Sequence, residues 1–379
     1  QRITPGMKSL LFVATLITLI SCSVAFEYGY CQFTATEHDP GITGYAYFLS
    51  SDKPGYVNMY VNVQGITVNP GIKHGIHIHE FGDLSDVANG QSVGSHWDPT
   101  NNPHGCPPED NRHYGDTGNW FVEDDGSIND MKSLDLLELT GGDSIIGRAV
   151  VIHNQTDDCV TVASSSTRLA FCVIGVGNPT LYNPSQTTND ASNQHPVVPA
   201  AVCDLQPIAN SGVTGRVWFQ QDSTTGAVTV TALVDGISGE HGFHIHQWGD
   251  LSQPNNGSSV GGHYNPLNVN HAIPPESVRH VGDMGNIYYS VNSTTMAYQY
   301  IFDDGSITLA GPNNVIGRGI VVHQLVDDCS QPTGNAGSRY AFCVIGIAAD
   351  NTVPTGVPAG VPTTQDDSAC PSSRNVRIN

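Results

Sequence analysis

The feature that most constrains this 379-residue sequence is an internal duplication. Several short motifs occur twice, and each second copy lies about 170 residues after the first, with little drift in that distance. The duplicated segments are residues 75–79 (GIHIH) and 242–246 (GFHIH), 112–116 (RHYGD) and 279–283 (RHVGD), and 171–175 (FCVIG) and 342–346 (FCVIG). A chain of this length has room for two domains. We therefore expect two copies of one domain in tandem.

The duplication sets the expected domain boundaries. The first domain is predicted at residues 26–177 and the second at 201–349. Residues 178–200 between them are rich in Asn, Pro, Thr and Ser, a composition typical of linkers. Residues 350–379 form a tail with several prolines and threonines, which we expect to be mobile apart from Cys370. Short alternating apolar runs punctuated by Gly, Asn, Asp and Pro predict an all-β, antiparallel sandwich or barrel in each copy.

The N-terminal segment has the pattern of a secretory signal. Met7 and Lys8 precede an apolar run over residues 10–20, and small residues follow at 23–25. We interpret residues 1–25 as leader and signal peptide, because the run is shorter than the ~20 residues of a membrane span. The mature protein is then expected to be secreted and extracellular. Three sequons, at Asn154, Asn256 and Asn292, predict a glycoprotein, with the last two in the more accessible polar stretches.

Charge and cysteine content narrow the partners and the compartment. The formal net charge is −21, which argues against nucleic acid and anionic membranes because both bind basic surfaces. Removal of the signal peptide would take Cys22 with it and leave eight cysteines. An even number in a secreted chain predicts disulfide bonds.

The histidines follow a pattern suited to metal binding. His77 and His79 are two residues apart on a strand-like segment, so their rings project from one face. Three more histidines and an aspartate follow, and a last histidine lies on a later strand, all at nearly the same spacings in both copies. Imidazole suits copper and zinc, and three histidines with one carboxylate are typical of structural zinc. Single histidines are more often solvated or hydrogen-bonded core residues, but a complete duplicated set is poorly explained in that way.

These motifs resemble those of the copper/zinc superoxide dismutase family. The matching segments are HGIHIH and HGFHIH at residues 74–79 and 241–246, HWDP and HYNP at 96–99 and 263–266, and IGRAVVIH and IGRGIVVH at 146–153 and 316–323. The resemblance covers nearly all of both copies. It implies an eight-stranded Greek-key β-barrel for each copy, with one copper ion and one zinc ion per domain.

The resemblance also assigns ligands residue by residue. Copper would be held by His77, His79, His96 and His153, and by His244, His246, His263 and His323. Zinc would be held by His96, His104, His113 and Asp116, and by His263, His271, His280 and Asp283. His96 and His263 would bridge the two metals as imidazolates. Asp157 and Asp327 match an aspartate that orients one ligand of each metal, whereas His74 and His241 match a structural histidine.

The implied activity is conversion of superoxide to oxygen and hydrogen peroxide by copper redox cycling. Arg168 and Arg339 match the family's active-site arginine, and His96 and His263 would pass a proton to the product. The match around Arg339 is the better, because residues 334–338 also fit the family and residues 163–167 do not. The segments that lead to both arginines are shorter than usual, so weaker attraction of the substrate is expected.

A second interpretation stays open beside the enzyme. Some secreted proteins of bivalve molluscs are built from such repeats, and an extracellular metal-binding, storage or matrix protein would keep the ligands with low or no activity. The domains could pair within one chain or between chains. Superoxide is the expected substrate in the first interpretation, and activity alone separates the two.

The resemblance further suggests a disulfide pattern that departs from the family's usual one. The family fold places the first and last strands side by side, which implies Cys31–Cys172 and Cys203–Cys343. It also places Cys159 near the loop that contains Cys106, which suggests a third pair, Cys106–Cys159. Cys329 and Cys370 remain as a fourth pair that would tie down the tail.

Overall fold

A computed structural model describes residues 28–162, 167–182, 198–311, 313–349 and 357–365. The predicted signal peptide, Cys370 and residues 163–166 lie outside the described residues, as does most of the predicted linker. No helix in the described part of the chain is long and apolar enough to cross a membrane.

The first repeat consists of two five-stranded antiparallel sheets. One sheet has the order β10-β1-β3-β4-β7 and the other β2-β9-β8-β5-β6. The strands are β1 (Tyr28–Gln32), β2 (Thr34–Ala35), β3 (Thr43–Ser50), β4 (Tyr56–Gln64), β5 (Lys73–His79), β6 (Asp116–Phe121), β7 (Ile128–Asp135), β8 (Ala149–His153), β9 (Arg168–Val173) and β10 (Gly175–Val176). A short helix, α1 (Pro179–Tyr182), follows.

The second repeat has the same topology. Its first strand, β11, pairs with both β12 and β19, so the path β15-β14-β18-β19-β11-β12-β13-β17-β16 is continuous. The strands are β11 (Ala200–Pro207), β12 (Thr214–Gln221), β13 (Val228–Asp235), β14 (His241–His246), β15 (Asp283–Ile287), β16 (Tyr289–Ser290), β17 (Thr295–Phe302), β18 (Gly319–His323), β19 (Arg339–Val344) and β20 (Gly346–Ile347).

Alternation of apolar and polar side chains explains why these segments are strands. In β4, Val57, Met59, Val61 and Val63 are buried, whereas the residues between them are half-buried on the outer face. The buried set packs with the inner face of the opposite sheet and, with Trp120, fills the first barrel. β8 and β18 are buried along their whole length and read as continuous apolar runs ending in a histidine.

The chain path places two long loops at one side of each barrel. β5 crosses from the first sheet to the second, and β7 returns to pair with β4, which is the path of a Greek key. The connection between β5 and β6 spans residues 80–115, and its counterpart in the second repeat spans 247–282. These arrangements confirm the predicted fold class, two tandem Greek-key barrels with eight principal strands each among the described residues.

Disulfide bonds close the barrels and one loop. Cys31 on β1 bonds to Cys172 on β9, and Cys203 on β11 bonds to Cys343 on β19. Cys106 bonds to Cys159. These are three of the four pairs expected. Cys329 is also disulfide-bonded, whereas Cys370, its expected partner, lies outside the described residues.

The two repeats pair with each other through four backbone hydrogen bonds related by a pseudo-two-fold axis. Gly82 N–H donates to Ile347 O at 2.9 Å, and its counterpart Gly249 N–H donates to Val176 O at 2.9 Å. Ile347 N–H and Val176 N–H donate in turn to Gly147 O and Gly317 O, at 2.8 and 2.7 Å. Glycine is required beside these bonds, because a Cβ on Gly175 would collide with Gly249 O and one on Gly346 would collide with Gly82 O.

The side chains around this interface break the symmetry. Arg216 of the second repeat bonds to Asp83 of the first at 2.9 Å and to Asp204 of its own repeat at 3.0 Å. The position that corresponds to Arg216 in the first repeat is Tyr45, whose ring lies 5.9 Å from that of Tyr30. The two halves of the interface therefore share their backbone contacts and differ in side-chain chemistry.

Substitution of Gly175 tests the contact between the repeats. A Cβ at this position would collide with the backbone carbonyl of Gly249 in the other repeat. We expect Gly175→Ala to lower the free energy of unfolding by about 1–3 kcal/mol, as overpacking does elsewhere, measured by thermal or denaturant unfolding. Gly142→Ala is the matched control, because a Cβ there meets nothing within 4 Å. Equal stability of the two variants would contradict the contact.

Candidate metal centres

Four buried histidines converge at one end of β5 and β8. His77 and His79 lie on β5, His153 ends β8, and His96 comes from the long loop, where it forms an isolated bridge with His79. One nitrogen from each ring lies within 4.8 Å of the others, and all four residues are buried. His79 Nε2 and His153 Nε2 are 3.4 Å apart. Bonds of ~2.0–2.1 Å from one ion to two imidazoles are compatible with that separation.

A second group shares His96 and is built from the same loop. It contains His96, His104, His113 and Asp116, all buried except the half-buried His113. The Asp116 carboxylate lies at the start of β6, with Oδ1 2.8 Å from His96 Nδ1 and 3.1 Å from His104 Nδ1. Three imidazole nitrogens around one carboxylate match the donor set of a tetrahedral zinc site.

His96 is therefore common to both groups. Its Nδ1 faces Asp116, while its buried Nε2 has no hydrogen-bond partner among the described residues. The rings of His96 and His77 are 4.0 Å apart, and His77 Nδ1 is also buried without a partner. A buried polar atom without a partner is costly, and a metal ion would satisfy both nitrogens. The residues present thus fit one cation in each group, with His96 between them.

The Asp157 carboxylate joins the two groups on the side away from His96. It accepts from His77 Nε2 and from His104 Nε2, each at 2.8 Å. Asn119 holds the aspartate by its backbone, because the Asn119 amide donates to Asp157 O and accepts from Asp157 N–H, both at 2.8 Å. Cys159 N–H donates to the carboxylate as well. Such carboxylates fix the tautomer and orientation of ligating rings.

The second repeat reproduces this arrangement. Its two groups are His244, His246, His263 and His323, and His263, His271, His280 and Asp283. Asp327 accepts from His244 Nε2 at 2.8 Å and from His271 Nε2 at 3.0 Å. Asn286 bonds to the Asp327 backbone as Asn119 does to Asp157.

Burial and hydrogen bonding split the histidine pKa values in each group. Burial and, to a lesser extent, the neighbouring His77 or His244 ring lower the pKa of His96 and of His263 to about 3. Burial also lowers the pKa of His104, but hydrogen bonds to Asp116 and Asp157 outweigh it and raise the value to about 10. The same balance raises the pKa of His271 to about 9. Without metal, the His104 and His271 rings are therefore charged, each between two carboxylates.

An arginine flanks the four-histidine group in each repeat. Arg168 at the start of β9 donates to Gly90 O at 2.6 Å and to Gly94 O at 2.7 Å. His79 Nδ1 donates to the same Gly94 O at 2.9 Å. In the second repeat Arg339 bonds to Gly257 O and, at 2.5 Å, to Gly261 O, which also accepts from His246 Nδ1. One carbonyl oxygen thus links the arginine to a histidine of the group in both repeats.

The structure brings together every histidine and aspartate that the sequence assigned to the four groups. His74 and His241 lie outside them, with Nδ1 of each bonded to the backbone carbonyl of His153 or His323. Sequence reasoning missed Asn119 and Asn286. The segment GDTGN at 115–119, which returns as GDMGN at 282–286, was a usable signal for both.

Both repeats have a disulfide-bonded cysteine beside the aspartate, Cys159 or Cys329, and the second repeat adds contacts from the tail. In the first, the Cys106–Cys159 disulfide lies beside Asp157. In the second, residues 357–365 of the tail pack against β15, with Gln365 Oε1 accepting from Asn286 N–H at 2.9 Å. Tyr288 Oη also donates to Thr364 O. This part of the tail was expected to be mobile, and it is instead bonded to the edge strand beside Asp327.

Comparison with known proteins finds matches to both repeats. The family model for copper/zinc superoxide dismutase matches the chain twice, at residues 42–174 and 213–345. An extracellular Cu-Zn superoxide dismutase 3 of Dictyostelium discoideum is 31% identical over 359 residues, which is 91% of this chain and 85% of that protein. An extracellular Cu-Zn superoxide dismutase of Onchocerca volvulus is 43% identical over 151 residues, 37% of this chain and 73% of that protein.

Removal of the Asp157 charge tests its orienting role. We expect Asp157→Asn to weaken Zn²⁺ binding in the first repeat by about 10–100-fold, because His77 and His104 lose a shared acceptor. Competition with a chromophoric chelator measures the affinity. Asp158→Asn is the matched control, since the exposed Asp158 bonds only to Val160 and Thr161 among the contacts described. An equal loss in both variants would show that Asp157 has no special part.

The raised pKa values predict proton release on metal binding. At pH 7 the rings of His104 and His271 are protonated in the metal-free chain, because pH 7 lies below pKa values of about 10 and about 9. Zinc binding requires a neutral ring, so about one proton per repeat should leave when zinc alone is added, and zinc affinity should rise with pH up to those values. Calorimetry in buffers of different ionisation enthalpy measures the release. Identical heats in all buffers would contradict it.

Proposed function

The chain belongs to the copper/zinc superoxide dismutase family, and from that membership we propose that it is a secreted superoxide dismutase with two active domains. One observation carries the proposal. In both repeats a single carbonyl oxygen accepts hydrogen bonds from the arginine and from a histidine of the four-histidine group. A protein that only stores metal has no need for a cation in that position.

The donor sets support one copper and one zinc in each repeat. Copper fits the groups of four imidazoles, and zinc fits the groups of three imidazoles and one carboxylate. Copper, when bound, would supply one-electron redox chemistry that converts superoxide to oxygen and hydrogen peroxide, whereas zinc has no redox states.

His96 and His263 are suited to hold a proton beside the substrate. Asp116 and Asp283 fix Nδ1 of these rings, which leaves Nε2 directed toward the four-histidine group. Burial keeps the rings neutral, with pKa values lowered to about 3. With zinc held at Nδ1, the neutral ring would carry its single proton on Nε2, where it could be given to an anionic product.

Arg168 and Arg339 are suited to attract and orient a small anion. Each guanidinium is held by two carbonyl oxygens, so its position is fixed before substrate arrives. A fixed positive charge at a site entrance raises the capture rate of an anion, and here it acts against a chain of net charge −21.

Secretion is part of the proposal. The predicted signal peptide supports it, and so do the disulfide bonds, which persist in oxidising compartments. The relatives that match most of the chain are named as extracellular proteins.

Superoxide turnover with matched arginine variants tests the enzyme. The full chain, produced in a secretory host and loaded with copper and zinc, should bind two of each and turn over superoxide. Arg168→Gln with Arg339→Gln should lower the rate by about tenfold and flatten its dependence on salt, because the attracting charges are gone. The corresponding lysine variants should keep most of the salt dependence.

The alternative function has its own signature in this experiment. Full metal content with no superoxide turnover above that of the metal-free chain would end the enzyme proposal. A metal-binding, storage or matrix function would then account for the sites. Zinc without copper in protein isolated from its natural source would point the same way.

A further inference from the structure

We propose that Asn256 carries an N-linked glycan that shields the four-histidine group of the second repeat from large solutes. The corresponding group of the first repeat stays open to them. The inference rests on the proposed secretion and copper binding. The new element is the access of solutes to one site, which follows neither from secretion nor from copper binding.

The sequon lines an open cavity next to Arg339. Asn256 is exposed, and it lines a cavity of about 830 Å³ together with Gly261, Ser338 and Arg339. The carbonyl oxygen of Gly261 accepts a hydrogen bond from His246 of the four-histidine group at 2.9 Å. The cavity therefore adjoins Arg339 and the carbonyl that holds His246.

The sequon is also bonded to the arginine of the site. Gly257, its middle residue, accepts through its carbonyl from Arg339. Asn256 Oδ1 accepts from Ser258 N–H at 2.8 Å, which folds the three residues into a tight turn at the surface. A sugar on Asn256 would thus start one residue from the anchor of Arg339.

The first repeat has the same turn without the acceptor sequence. Asn89 is exposed, and Gly90 O accepts from Arg168 at 2.6 Å, as Gly257 O does from Arg339. The third residue, however, is Gln91 rather than Ser or Thr, so residues 89–91 are not a sequon. The first repeat does have a sequon near its site, at Asn154, but that residue is half-buried with its Oδ1 enclosed. We therefore expect modification at this surface in the second repeat alone.

The modification step is a group transfer with no redox change. The Asn256 amide nitrogen attacks the anomeric carbon of an oligosaccharide carried on a lipid diphosphate. A nitrogen–carbon bond forms, the bond from that carbon to the diphosphate oxygen breaks, and an amide proton leaves with the lipid diphosphate. The attached oligosaccharide is neutral and mobile, so it would exclude bulky solutes and admit an ion as small as superoxide.

The first arm of the test measures occupancy. The full chain from a glycosylating secretory host is treated with an amidase that converts glycosylated Asn to Asp, and its peptides are mapped by mass spectrometry. Conversion at Asn256 with an unchanged Asn89 is expected. An unmodified Asn256 would overturn the proposal whether or not the chain binds copper.

The second arm measures shielding through copper loss rather than activity. The copper-loaded chain is mixed with EDTA coupled to dextran, and in parallel with free EDTA. With dextran-EDTA, half of the copper should leave about tenfold more slowly than the other half, because crowding at a site lowers the association rate. Free EDTA should remove both halves with similar rates. Equal rates for both halves with dextran-EDTA would overturn the shielding.

Matched variants assign the slow half. Ser258→Ala removes the sequon and keeps Asn256, so all copper should leave fast. Gln91→Ser creates the sequon in the first repeat, at the position equivalent to Ser258, so all copper should leave slowly. Thr294→Ala removes the sequon at Asn292, in the turn between β16 and β17, and should change nothing. A slow half that persists in Ser258→Ala would contradict the proposal.

Discussion

One shared acceptor organises each site. The Asp157 carboxylate, or Asp327 in the second repeat, takes one hydrogen bond from a ring of the four-histidine group and one from a ring of the other group. Each aspartate is held by an asparagine on the neighbouring strand. The orientation of two ligand sets on different elements thus depends on one loop residue and its backbone. The backbone of a disulfide-bonded cysteine, Cys159 or Cys329, donates to the same carboxylate.

Much of this arrangement follows from the sequence. The fold class follows from apolar alternation in short segments, and the ligand groups follow from duplicated histidine spacing, because strands and loops of equal length return the same residues to the same place. His77 and His79, for example, had to share a face once their segment was a strand. The resemblance to a known family then supplied pairings between segments far apart in the chain.

Other features depend on how separate parts meet, which local pattern does not encode. The tail residue Gln365 bonds to Asn286 across a gap of about 80 residues with no repeated counterpart to signal it. Arg216 bonds to Asp83 only because the repeats face each other in one particular orientation. Gly94 and Gly261 contribute backbone carbonyls to the sites, and a backbone group cannot be identified from the type of its residue.

The two repeats contribute different side chains to the interface between them, and this difference affects which substitutions the protein can accept. In a dimer of identical subunits, any substitution at the contact enters twice and must suit both sides of the axis. Here Arg216 and Tyr45 occupy equivalent positions and differ, and Asp83 and Asp250 meet different neighbours. Each repeat can therefore accept substitutions at the interface independently of the other, while the backbone hydrogen bonds at the glycines keep the two repeats together. Because both halves belong to one polypeptide, dilution would not separate them.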